Sequence, residues 1–159
     1  MNNRFVAIAA DLRQALDQSQ PLLERLTDAD VSVRPRSDKW SKKEILGHLL
    51  DSASNNHQRF VRAALSGNLV FPGYEQDQLV ELQRFRELDW KFLVELWAAY
   101  NRFLAHVISH LPPEKADAAC AIGKNEPATL AWIAQDYVVH LRHHLNQIVS
   151  SGHFSVSQK

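Results

Sequence analysis

The sequence predicts an all-α fold: a four-helix bundle in the order up-down-down-up, with a long crossover between its second and third helices. Three observations lead there. Four stretches of about 20 residues repeat apolar side chains at helical spacing. Only five glycines and six prolines occur among 159 residues, too little turn material for a strand-rich chain. The longest connection, residues 66–89, falls between the second and third stretches. Amphipathic helices of this length bury their stripes against one another, which makes a bundle the default architecture.

The first stretch runs from Arg4 to Leu26, with Phe5, Ile8, Leu12, Leu16, Leu22 and Leu26 as its stripe. The second runs from Lys42 to Leu65 and has a marked start. Ser41 and Glu44 match a capping box, and Trp40 with Ile45 matches a hydrophobic staple. The third runs from Trp90 to Leu111, with Asp89 as its N-cap and Pro112-Pro113 as its stop. The fourth runs from Leu130 to Val149, capped by Thr129 and closed near Gly152. Within the crossover, FPGY is a turn signal and EQDQLVEL fits a short helix. The expected organisation is one bundle domain over residues 1–152 and a tail over 153–159.

Composition narrows the function. Lysine plus arginine equals aspartate plus glutamate, 18 each, so no single-sign field is expected to attract nucleic acid or an anionic membrane. No apolar run approaches the roughly 20 residues of a membrane span. The short apolar N-terminal stretch is soon interrupted by charge, unlike a signal peptide. A lone cysteine, Cys120, excludes an internal disulfide and fits a reducing compartment, so a cytoplasmic location is expected. The expected partner is a small-molecule substrate. The aromatic-rich third stretch offers a surface for a homodimer.

Eight histidines occur, and they cluster. On the fourth stretch the stripe is Leu130, Ala134, Tyr137, Leu141, Leu145 and Ile148. At roughly 100° per residue, His144 and His140 lie on one margin of that stripe, roughly 60° and 100° from Leu141, and His143 faces solvent. On the second stretch His48 lies on the margin of the stripe Ile45, Leu49, Ala53, Asn56 and Phe60. His48 is near the start of its helix and His144 near the end of its own. Their heights coincide if the two helices run antiparallel, and differ by roughly 6 to 12 Å if they run parallel. A shared metal ion, bound at about 2 Å, therefore requires the up-down-down-up order. The alternative is three interior-edge imidazoles bonded to their neighbours. One histidine pair at i,i+4 means little in so histidine-rich a chain. On the third stretch the stripe is Trp90, Leu93, Trp97, Tyr100, Leu104, Ile108 and Leu111, and a second pair, His106 and His110, lies opposite it and reads as surface.

The segment WSKKEILGHL (Trp40 to Leu49), the pattern D-x-x-x-N-N-H-Q-R-F (Asp51 to Phe60) and the closing YVVHLRHHLNQI together resemble the DinB-like superfamily. That group includes YfiT-like metal-dependent hydrolases, bacillithiol S-transferases and mycothiol-dependent maleylpyruvate isomerases. The resemblance implies an up-down-down-up bundle, often dimeric. It also implies a metal site built from the histidine eight residues after the tryptophan and a histidine pair on the last helix. Those positions are His48, His140 and His144 here.

Three neutral imidazoles leave open positions on a divalent first-row ion. Zinc suits such a set, and nickel, iron and manganese are compatible with it. An open position permits hydrolysis through bound water. It equally permits capture of a low-molecular-weight thiol as co-substrate. No glutamate lies between His140 and His144, so this is not the zinc-protease helix motif. Any acid or base must come from elsewhere. Asp136, one turn before His140, is a candidate to orient its ring. Tyr137 and Arg59 are further catalytic candidates, Arg59 because a guanidinium suits a substrate carboxylate. Ser52 and Asn55 are expected to line the pocket. The expectation is a metal-dependent thiol S-transferase or hydrolase. The rival is a non-catalytic, stress-related metal-binding or scaffold bundle.

Overall fold

A computed structural model describes residues 3–150. Its long helices are α1 (Arg4–Glu24), α3 (Lys42–Ser66), α5 (Trp90–Ser109) and α6 (Leu130–Ser150), with short helices α2 (Asp28–Ser32) and α4 (Gln76–Gln83) between them. The expected helix at residues 75–82 is thus α4, displaced by one residue. The expected stop near Gly152 and the tail lie outside the described residues.

The caps match their sequence signals. Ser41 Oγ accepts the Glu44 amide, and Glu44 accepts the Ser41 amide at 2.8 Å. Burial opposes ionisation of Glu44, yet the Arg34 guanidinium and the Ser41 donors hold its carboxyl below the usual range. Asp89 Oδ2 accepts the Phe92 amide at 2.9 Å, and Thr129 Oγ1 the Trp132 amide at 3.2 Å. Each bond satisfies an amide that the first turn leaves without a helical partner.

The stripes of α5 and α6 pack as the periodicity predicts, and Trp97, Leu104, Leu130 and Leu141 are fully buried. One expectation for α1 fails. Leu22 is 40% exposed, whereas Leu23 is fully buried. Leu23 lies seven residues, two turns, beyond Leu16 and so continues the stripe; Leu22 lies roughly 120° from it.

Packing joins α1 to α5, α5 to α3, α3 to α6 and α6 to α1. Arg13 reaches the Ala105 carbonyl and Ser109, and Trp90 Nε1 donates to the Leu23 carbonyl at 2.9 Å. Lys43 donates to the Leu88 carbonyl at 2.7 Å, and His57 Nδ1 sits 3.0 Å from the Tyr100 hydroxyl. The connections carry a feature the sequence did not announce, a small sheet in the order β1-β2-β3. Strand β1 (Asn68–Phe71) pairs in parallel with β2 (Ala119–Ile122), Leu69 opposite Cys120. Strand β3 (Ala128–Thr129) pairs antiparallel with β2. This sheet ties the segment after α3 to the segment after α5.

Candidate metal centre

The first half of α3 is buried almost all round. Gly47 shows why at one point: a Cβ there would fall 2.2 Å from the Phe85 ring. Phe85, in a single 3₁₀ turn over Phe85–Glu87, packs on the bare backbone beside His48. The Trp40 ring lies 5.0 Å from the His48 ring, centroid to centroid. His48 is 1% exposed, its orientation set by these neighbours and by two imidazoles from α6.

Those two are His140 and His144, both half-buried. The His48 Nε2 and His140 Nε2 atoms stand 3.2 Å apart. The three ring centroids lie between 4.6 and 5.1 Å from one another. One nitrogen from each ring falls within 4.8 Å of the others, and this is the metal-capable cluster of three among the described residues. Two nitrogens bound tetrahedrally at about 2.0–2.1 Å from one zinc ion stand about 3.3 Å apart, so the separation of the first pair fits a shared ion.

The electrostatics agree with the geometry. Burial, reinforced by His140 and His144, pulls His48 from its ordinary 6.5 down to about 4. Burial, with His144 and His143, takes His140 to about 4 as well. Burial also lowers His144, against the opposing bond from Gln147. Neutral imidazoles are the form that ligates. His144 Nδ1 donates to Gln147 Oε1 at 2.8 Å, which leaves its Nε2 lone pair free. The amide of Gln147 lies 3.3 Å from His143 Nε2. His143 is exposed, as its place on the helix predicts. His48 Nδ1 is buried without a partner.

The other candidates are distributed unevenly. Ser52 is buried one turn beyond His48, close to the Tyr74 hydroxyl, and accepts from Asn56 Nδ2 at its carbonyl at 2.8 Å. Asn55 Nδ2 donates to the Asp51 carbonyl at 2.9 Å. Arg59 continues the same edge and lies near the rings of Phe71 and Tyr74. Asp136 is exposed on α6 one turn before His140, with its carboxyl raised by partial desolvation. Tyr137 is buried and donates to Asn101 Oδ1 on α5, and burial holds its phenol far above the usual range. That hydroxyl is committed to the bundle core. Its stripe position already placed it inward.

Sequence reasoning missed four contributors. Trp40 was read only as a staple, yet it also walls His48. Gln147 lies one turn after His143 and orients His144, a relation visible in the spacing. Phe85 had no local signal, and Asp51 stood at the head of the D-x-x-x-N-N-H-Q-R-F pattern with no role assigned to it. Asp51 is 7% exposed; Gln83 donates to its Oδ1 at 2.7 Å, and its Oδ2 is buried without a partner. Burial raises this carboxyl, with Gln83 opposing. Beside the cluster an open groove of about 1290 Å³ is lined by His144, Gln147, Trp40, Ile45 and the charged Lys39 and Asp77.

A helical bundle whose second and last long helices converge three neutral imidazoles defines the class of this protein. Residues 11–148 match the DinB superfamily, and the chain belongs to it. Among solved structures it is similar to YfiT from Bacillus subtilis, with a TM-score of 0.76 at 19% identity, over 92% of this chain and 82% of that one. That protein is described as "a probable metal-dependent hydrolase with an unusual four-helix bundle topology". The likeness shows the fold. Curated proteins gave no match. No helix among the described residues is long and apolar enough to cross a membrane.

Proposed function

We propose that the protein is a divalent-metal-dependent enzyme acting on a small molecule, by hydrolysis or by thiol S-transfer. His48, His140 and His144 would hold the ion, and zinc suits the three-imidazole donor set best. The observation that carries this reading is the convergence of three desolvated rings from two helices, with Nε2 atoms 3.2 Å apart in one pair. Bound there, a zinc-like ion supplies Lewis acidity at a position the three histidines leave open. The chain's own residues do the rest. Trp40 and Phe85 exclude water from the His48 side, and Gln147 holds the proton of His144 on Nδ1. Asp51, buried and raised above the usual carboxylate range, is suited to give or take a proton one turn beyond His48.

We also infer that α1, α3, α5 and α6 run up-down-down-up, with the crossover after α3. The pairing of His48, near the start of α3, with His140 and His144, near the end of α6, supports this order. So do the parallel register of β1 with β2 and the meeting of Lys43 with Leu88 ahead of α5.

Elemental analysis of untagged protein tests the metal reading. The expected content is close to one ion per chain; below about 0.1, against the tight binding such sites show, the reading fails. Cobalt substitution then separates the chemistries. A sulfur-to-cobalt absorption band on adding a thiol favours S-transfer, and its absence with a range of thiols favours hydrolysis.

A further inference from the structure

Beyond the histidines, the same face of α3 holds an unsatisfied cation. His48, Ser52, Asn55 and Arg59 follow one another at helical spacing. Arg59 is half-buried, and its Nε is shut off from solvent with no hydrogen-bond partner. The one hydrogen bond of its side chain, Nη1 to Asn56 Oδ1, has a limiting length of 3.5 Å. Two other arginines provide the contrast. The side chains of Arg34 and Arg142 are 30% and 34% exposed, and each is ion-paired, with Glu44 and Asp11 respectively. Among the described residues Arg59 has no such carboxylate. The Phe71 and Tyr74 rings lie 5.6 and 5.9 Å from its guanidinium carbon. Ring faces attract a cation but leave its in-plane N–H donors unused. Burial accordingly presses the guanidinium pKa below its ordinary value.

The direction of the side chain matters. Asn56 lies three residues before Arg59, so the Arg59 side chain runs back toward the His48 end, as long helical side chains do. Asn56 and His48 are separated by roughly 12 Å of helix rise, and Ser52, with Tyr74 beside it, lies between them. A planar guanidinium whose Nε lacks a partner and whose Nη1 is held by one limiting bond, flanked by two rings, matches a carboxylate bonded in two places.

We propose that Arg59 is a binding residue for the carboxylate of a small-molecule ligand, held on the strip of α3 that leads to the three histidines. The placement of the ligand's other end at the histidines rests on the metal reading above; the carboxylate site itself does not.

Two measurements keep the two readings apart. In metal-free protein, hexanoate should move the arginine Nε–H resonance that disappears in Arg59→Gln, saturably, while hexanol leaves it in place. No shift would overturn the proposal, as would a larger shift with inorganic phosphate than with hexanoate. In cobalt-substituted protein, 6-mercaptohexanoate should bind at least about tenfold more tightly than 6-mercaptohexanol, read by the sulfur-to-cobalt band. Arg59→Gln should erase that advantage without weakening the neutral thiol, and Arg59→Lys should keep only part of it. Equal binding of the two thiols to the parent protein would overturn the proposal. Absence of the band with both thiols, with the hexanoate shift intact, would count against thiol capture at the metal and leave the carboxylate site standing. Arg59→Gln removes a half-buried charge that has no carboxylate partner among the described residues, so it should fold at least as well as the parent, checked by thermal melting.

Discussion

Two histidine pairs in this protein share the same spacing along a helix and similar ring separations, though the α6 rings meet edge to face at 76° and the α5 rings are tilted at 38°. His140 and His144 on α6 have ring centroids 4.6 Å apart; His106 and His110 on α5 have theirs 4.3 Å apart. Their surroundings separate them. The α6 pair faces α3, where His48 is 1% exposed and supplies a third ring. The α5 pair is exposed, and His110 Nδ1 is spent on the His106 carbonyl at 2.8 Å. Burial pulls the α6 rings below their ordinary pKa, so they arrive neutral. An i,i+4 histidine pair is therefore only half of a site; the facing helix and the loss of water supply the other half.

The comparison can be broken most sharply at the third ring. His48→Ala or His140→Ala should take metal content from about one per chain to below about 0.1, by elemental analysis after dialysis. Retention of stoichiometric metal in either variant would mean that the three rings do not act together. Next comes the residue that sets the His144 tautomer. Gln147→Ala should weaken metal affinity about tenfold or more, in competition with a chromophoric chelator, since partners of this kind commonly contribute that much. An unchanged affinity would show that the Nδ1 bond does no orienting.

A smaller effect is expected from protons alone. His48 and His140 titrate at about 4 in the folded, metal-free protein against an ordinary 6.5. Between those values the unfolded chain takes up protons that the folded one refuses. Stability is then full above pH 6.5 and declines as pH falls toward about 4. Urea unfolding of metal-free protein across that window should show the decline, with a shallower slope in His140→Asn. Equal slopes would indicate that these rings are not desolvated. The smallest change, none, is expected for His106→Ala combined with His110→Ala. A large loss of stoichiometric metal there would reverse the assignment of the two pairs.

Local signals made much of this legible in the sequence. The Ser41–Glu44 box, the Asp89 cap and the α5 and α6 stripes depend on residues within a turn or two, and periodicity is enough to find them. The histidines were sorted correctly by face for the same reason. Contacts between distant segments left no such trace. Strands β1 and β2 are four residues each, too short for a period, and they pair across some 50 positions of chain. Phe85 meets Gly47, and Tyr137 meets Asn101, only because the bundle has closed. Leu22 was misjudged by an angular step, being assigned to a stripe that Leu23 continues.

X-ray absorption of the zinc-loaded protein tests the central claim most directly. The account predicts three imidazole nitrogens at about 2.0–2.1 Å, completed by a light oxygen scatterer that an added small ligand can replace. A signal with fewer than three imidazoles, or one identical in His48→Ala, would contradict it.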